Sequence, residues 1–310
     1  MAEGYGFGKI ILFGEHFVVY GLPAIASAIG DKTIATVETS KKFELVDKRP
    51  ATEGYKVTKK DEMDRSMKLI LGFMKVDVVK TPVKITLSGR LFCTSGIGAS
   101  AAMATAIARA FSEHFNLSLD DEQVNRISYE GEKGSAGTPS GIDNTCATFG
   151  GLLWFEKNLK GGENRMELIK AKKPIEIVLG NTGISQETKL VVEDVKKARD
   201  ADPKRYERIF SDYLKIVKEA RSVIEKGDIK RLGALMDENH RLLKEMRLSC
   251  VQAEDIISVA KANGAAGAKI TGTGRGGYVI LLTPGRSVQD KVAKAIEAKG
   301  YKTLKTEIGI

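Results

Sequence analysis

Apolar positions recur along the chain with two different periods, and the change from one to the other outlines the elements. In 83–87, Val83, Ile85 and Leu87 alternate with polar neighbours, the period of a half-buried strand, and 9–13 and the β-rich stretch 33–46 read as further strands. From 100 to 115 the period lengthens: Met103, Ile107, Phe111 and Phe115 recur at helical spacing among alanines, with Ser100 where the first turn begins. A second, more polar helix is predicted over 120–132, and 151–156 with Leu152, Leu153, Trp154 and Phe155 predicts a buried strand. A strand over 175–179 is followed by helices over 187–200, 203–225, 228–247 and 251–263. Strands at 267–270 and 278–282, a helix at 288–298 and a strand at 301–307 complete the pattern. Runs of helices followed by strands, without regular βαβ alternation, predict an α+β chain.

Around 158–173 the composition turns to Lys, Gly, Glu and Asn, the exposed polar connection that separates domains. A chain of 310 residues with 42% hydrophobic content is long enough for two cores, and the expected division is 1–170 and 171–310. The 49 basic and 40 acidic side chains leave a net charge of +9. The positive charges are scattered over polar helix faces such as 189–197. They form no basic stripe with interleaved aromatics, which argues against a nucleic-acid partner, and the same field favours a small anionic substrate such as a nucleotide. Cys93, Cys146 and Cys250 are far apart and include no CxxC pair, so inert thiols in a reducing compartment are expected. No cationic leader is legible, and the apolar run from Ile10 is broken by Glu15 and His16 before it could span a bilayer. The expectation is a soluble, cytoplasmic protein without a membrane partner.

Candidate chemistry lies in three glycine-bearing segments: GKIILFGEHFVVYG at 8–21, TSGIGASAAMA at 94–104 and KITGTGRGGY at 269–278. In the second, Gly96 and Gly98 let the backbone curl, and the helix that follows directs its unpaired amides and positive dipole end at that loop. The hydroxyls of Ser95 and Ser100 can cap the helix, bind phosphate oxygen or ligate magnesium. Two of the segments imitate a dinucleotide fingerprint, but the first match is not followed by a parallel strand ending in an acid, and the other runs directly into the strand YVILL. No GxxxxGK[ST] phosphate loop occurs. The segment PSGIDNT at 139–145 places Asp143 in a tight turn; such an aspartate either caps its own backbone or serves as the acid that phosphoryl transfer needs beside an attacking hydroxyl. Glu132, near the end of a polar helix, reads as a solvated carboxylate or, with Ser100, as a pair of hard oxygen ligands for magnesium. Lys9, Glu15, His16 and Tyr20 occupy a stretch too apolar for a surface loop, whereas His114 and His240 read as ordinary surface or helix residues.

Taken in this order, the segments resemble the GHMP kinases, and the likeness extends from Gly8 to Tyr278. The resemblance implies a two-domain fold, with a ribosomal protein S5 domain 2-like N-terminal domain and a ferredoxin-like C-terminal domain with extra helices. It implies ATP and Mg²⁺, with Asp143 as base, Lys9 as its partner and Glu132 and Ser100 as metal ligands. Ser95, Gly96, Ile97, Gly98, Ala99 and Ser100 would cradle the phosphates, and Gly272 and Gly274 would belong to the third motif, contributed by the second domain. Within the family the Glu-His pair and PSGIDNT are most similar to the members that phosphorylate mevalonate, so Glu15 and His16 would lie near that substrate, on its way to 5-phosphomevalonate. Other kinases of this fold, such as those acting on phosphomevalonate, the ATP-consuming mevalonate diphosphate decarboxylases and silent ligand sensors are the alternatives, and a homodimer is left open. Two departures stand out: Ala99 where the family often has serine, and Arg275 with Tyr278 where small residues are usual.

Overall fold

The computed structural model describes every residue except Ser95 and Ser185, and of Ala136 the backbone alone. Along the chain run β1 (Ala2–Phe13), a 3₁₀ turn (His16–Tyr20), β2 (Ala24–Thr39), β3 (Glu44–Asp47), α1 (Tyr55–Thr58) and α2 (Lys60–Met74). They are followed by β4 (Val83–Gly89), α3 (Ala99–His114), α4 (Asp121–Ala136), α5 (Ile142–Phe149), β5 (Leu152–Glu156), β6 (Arg165–Ile169) and β7 (Ile175–Asn181). The remainder comprises α6 (Thr188–Ala201), α7 (Pro203–Lys226), α8 (Ile229–Glu245), α9 (Val251–Ala262), β8 (Gly267–Thr271), β9 (Tyr278–Leu282), α10 (Arg286–Glu297) and β10 (Lys302–Ile308). The α+β class expected from periodicity holds.

The chain forms two compact units. The first comprises Met1–Lys9 and Ala28–Gly150, the second Ile10–Ser27 and Gly151–Ile310. These units do not follow a single cut near residue 170, for two reasons. Both β1 and β2 pass from one unit into the other. In addition, β5 pairs antiparallel with 24–27 of β2 and with β6, so the polar stretch read as a connection is a hairpin of the second unit. Side chains on β6 are mostly exposed, and backbone pairing rather than an apolar pattern makes it a strand.

In the first unit, residues 33–39 of β2 run antiparallel to β4, and β3 runs parallel to β4. The inward residues Ala35, Val37, Val83, Ile85 and Leu87 join Met67 and Ile70 of α2 with Met103, Ile107 and Phe111 of α3 in one core. The helical spacing of Met63, Met67, Ile70 and Met74 was a legible signal for α2 that the strand-dominated reading of this region passes over. Asp120 caps α4 through a reciprocal bond with Gln123, two bonds that satisfy donors left open at a helix start.

In the second unit the order β10-β7-β9-β8 is antiparallel throughout. Asp202 and Pro203 open α7 and Asp228 opens α8, each aspartate accepting from a first-turn amide. Every residue of β8 is buried, Lys269 included.

Phe111, fully buried in the first core, has no room for the surroundings to collapse if truncated. We expect Phe111→Ala to cost about 3–5 kcal/mol, read as a lowered urea midpoint by circular dichroism; an unchanged midpoint would contradict this packing.

Candidate active site

Lys9 ends the first unit's portion of β1, where its amide donates to the Ile97 carbonyl at 2.9 Å and its side chain is almost fully enclosed. Its Nζ lies 2.8 Å from Oδ1 of Asp143. Burial alone would push the Lys9 ammonium down, but the Asp143 carboxylate, as a charge and as a hydrogen-bond acceptor, outweighs this and holds the amine above its ordinary value. Lys9 is therefore a cation. Asp143 does not sit in a tight turn: Gly141, at φ 90°, starts α5, and Asp143 occupies its first turn. The left-handed glycine supplies the turn signal in the sequence, and the helix it opens favours a carboxylate at its first turn.

Opposite lies the start of α3. Gly98 adopts φ 69°, and a Cβ there would stand 3.1 Å from Lys9 and 3.6 Å from Oδ1 of Asp143, so the missing side chain leaves room for the ion pair. The helix begins at Ala99 with no side-chain cap, and Ser100 instead meets Oγ of Ser135 at 3.2 Å. Gly96, at φ 95°, faces open space. Ser95 lies outside the described residues. Glu132 is not a solvated carboxylate: only 7% of it is exposed. Burial first, and the nearby Asp143 charge second, push its carboxyl up to about 7, while the hydroxyls of Ser100 and Ser135 and the Lys9 ammonium pull the other way. Its Oε1 finds no hydrogen-bond partner. Two carboxylates thus share one ammonium, with an orphaned carboxylate oxygen beside a serine hydroxyl. That donor set of hard oxygens fits a divalent cation that keeps most of its water. Among the described residues no group of three or more His, Cys, Asp or Glu forms a metal cluster.

Ala99 and Ser100 also line a cleft with Tyr55, Lys56, Met63 and Cys93. On its wall Arg49, buried, donates to both carboxylate oxygens of Asp47 and, at 3.1 Å, to the Ala99 carbonyl, which fixes the first turn of α3. This cleft was missed in the sequence, although a buried Arg two residues from an Asp is a legible pair. Burial pushes the Tyr55 phenol up to about 12, so it remains a donor.

In the second unit, His16 opens the 3₁₀ turn and its Nε2 lies 2.6 Å from the Thr273 carbonyl. A carbonyl oxygen only accepts, so Nε2 carries the hydrogen and Nδ1 is left as an acceptor. Burial lowers the ring's pKa, opposed by that carbonyl and aided by Arg275, so the ring is neutral. Glu15, expected to face the substrate, is fully enclosed and ion-paired with Lys269. Gly274, at φ 82°, comes so close to the Leu248 carbonyl that a Cβ would sit 2.8 Å from it, and Gly272, at φ 81°, faces open space. Arg275 is bound to Asp194 of α6 at 2.6 Å and to the Arg247 carbonyl at 3.1 Å. His240 departs from an ordinary surface position: it is buried and its Nε2 meets Glu254 at 2.9 Å. Cys93 and Cys146 are buried, and burial pushes the Cys146 thiol up to about 12.

Residues 65–151 match the model of the GHMP kinases N terminal domain, and residues 220–302 match that of the GHMP kinases C terminal. A mevalonate kinase of Thermococcus sibiricus is 33% identical over 97% of this chain and 94% of its own length. The chain belongs to the GHMP kinases. Another family member, the mevalonate kinase of Saccharolobus solfataricus, is 30% identical over 92% of this chain and 90% of its own. Among solved structures, L. major mevalonate kinase in complex with R-mevalonate superposes with a TM-score of 0.94 at 38% identity, covering 99% of this chain and 96% of that one. The two-domain α+β kinase fold implied by the motifs is therefore the fold observed. No helix among the described residues is long and apolar enough to cross a membrane.

The raised Glu132 carboxyl sets a pH dependence. Between its ordinary value of 4.5 and about 7 the folded protein binds the proton more tightly than the unfolded chain, so this group's contribution is fully present below 4.5 and lost as pH rises through 7. Without added metal, Glu132→Gln should gain on the wild type by on the order of 3 kcal/mol from pH 4.5 to 8, read as the difference between their urea unfolding free energies. A constant difference across that range would contradict the assigned environment.

Proposed function

We propose that this chain is an ATP-dependent kinase that transfers the γ-phosphoryl group to the C5 hydroxyl of mevalonate, giving 5-phosphomevalonate and ADP. The observation that carries the reading is the Lys9–Asp143 pair at 2.8 Å, set against a glycine-opened helix start and the orphaned oxygen of Glu132. The family and the mevalonate-named relatives supply the substrate class.

The amides around Gly96, Ile97, Gly98 and Ala99 at the start of α3 would hold phosphate oxygens, and the adjoining cleft takes the nucleoside. Ser100 and Glu132 would hold Mg²⁺, which neutralises charge on the β- and γ-phosphates when bound. Asp143 takes the proton of the substrate hydroxyl as its oxygen forms the new bond to phosphorus and the bond from phosphorus to the bridging oxygen of ADP breaks. Lys9 holds Asp143 in place and supplies positive charge where the alkoxide develops. In the second unit, the neutral His16 offers Nδ1 as an acceptor to a substrate hydroxyl. Gly272 and Gly274 keep their loop free of side chains.

A coupled ADP-release assay across mevalonate, phosphomevalonate, galactose and homoserine tests the reading, and turnover confined to any of the last three would overturn it. Asp143→Asn and Lys9→Met should each lower kcat by about 100-fold to 1,000-fold with ATP binding nearly intact by calorimetry. Wild-type turnover in both variants would remove the pair from the mechanism.

A further inference from the structure

In the second unit, three side-chain bonds join the segment 11–16 to the segment 269–273. Thr271 donates to the Ile11 carbonyl at 2.8 Å, His16 Nε2 donates to the Thr273 carbonyl at 2.6 Å, and Lys269 meets the Glu15 carboxylate. Only the last is an ion pair, and both of its side chains are completely enclosed. Each makes one further local bond: Lys269 also donates to the Ile270 carbonyl at 2.8 Å, and Oε2 of Glu15 accepts from the Gly14 amide at 3.1 Å. Phe17, next after His16, stacks on Tyr213, whose hydroxyl donates to the Pro23 carbonyl at 2.6 Å. The 3₁₀ turn therefore has one aromatic wall and one ionic anchor.

A buried ion pair contributes little net stability compared with apolar side chains of the same volume, because desolvation offsets the attraction, yet its geometry is fixed tightly. A lysine inside β8, on a strand whose other residues are small or apolar, has no packing role that methionine would not fill. We propose that the Lys269–Glu15 pair is a positioning device that sets His16 and the 272–277 glycine loop in register for substrate. It rests on the kinase reading of the site. Glu15 acts through the fold and does not touch the ligand. One end of the pair is adjacent to His16 in sequence, the other is four residues from Thr273, and the His16–Thr273 bond closes the ring. Release of the anchor leaves that bond as one of two remaining ties and lets the imidazole leave its single orientation.

The test compares the wild type with Glu15→Gln/Lys269→Met, which removes both charges and leaves neither unpaired. The double variant should unfold at a urea midpoint close to that of the wild type. Its KM for mevalonate should rise by on the order of 100-fold, the scale of a misplacement near 1 Å, with KM for ATP little changed. Its His16 ring should titrate closer to an ordinary histidine by NMR, where the chain's three histidines are readily separated. An unchanged KM for mevalonate with an unchanged His16 titration would overturn the inference, as would a uniform loss of kcat alone. Glu15→Gln, which keeps the shape and one acceptor, reads the same quantities if the double variant is unstable. Failure of both to fold, seen as lost circular dichroism, would make the pair purely structural and equally overturn it. A wild type that releases no ADP with mevalonate would defeat the functional reading instead, while the His16 titration would still decide the positioning claim.

Discussion

Two carboxylates, Glu132 and Asp143, are held close together in the first unit against a single ammonium, that of Lys9. A carboxylate enclosed beside a like charge ionises less readily, and the settings of the two groups differ. Asp143 keeps the lysine at 2.8 Å. Glu132, farther from it in electrostatic effect and more deeply enclosed, is pushed up to about 7 and retains an oxygen without a partner. Much of the first unit's local architecture serves this imbalance. Gly98 yields the space for the pair, Arg49 pins the first turn of α3 through Ala99, and Ser100 and Ser135 bring hydroxyls to the orphaned carboxylate. With both carboxylates ionised the site is one positive charge short of balance, and a cation arriving there supplies the missing counter-charge.

Part of this was legible in the linear chain. The spacing of Met103, Ile107 and Phe111 marks α3, and Gly96 and Gly98 before it mark its glycine-opened start. Lys9 was conspicuous because a lysine opening an apolar strand needs an explanation. Asp143 was conspicuous too, but its setting was misread: glycine, proline and asparagine around it are turn formers, and only the left-handed Gly141 followed by the apolar residues of α5 converts the turn into a helix start. Glu132 looked solvated because its helix is polar on most faces. Burial there comes from what the helix packs against, which periodicity does not reveal.

Lys269 was the least legible of the residues that matter. Within AKITG the lysine carries no sign of burial, and Glu15 reads as a ligand-facing acid beside a histidine. Each has a bland explanation on its own. Their partnership spans 254 residues of sequence and exists only because β8 is buried throughout, so local pattern could not expose it. The polar stretch 158–173 is a different case: composition suggested a boundary there, and part of the stretch pairs as β6 with β5, a pairing its composition does not announce.

The two charge arrangements are solved by opposite means. Lys9 and Asp143 remain partly accessible on the aspartate side, with one third of that side chain exposed, so the carboxylate can be reached from solvent. Lys269 and Glu15 are sealed, with nothing left for a ligand to engage. A pair that does chemistry must leave one member reachable, whereas a pair that holds geometry is better protected from water, since screening would loosen it. The same short segment carries both kinds: Lys9 at its start pairs with the partly exposed Asp143, and Glu15 near its end pairs with the enclosed Lys269. Within the second unit Ile10, Leu12 and Phe13 are fully buried, so the strand that leads into the anchored turn is held by its own apolar side chains.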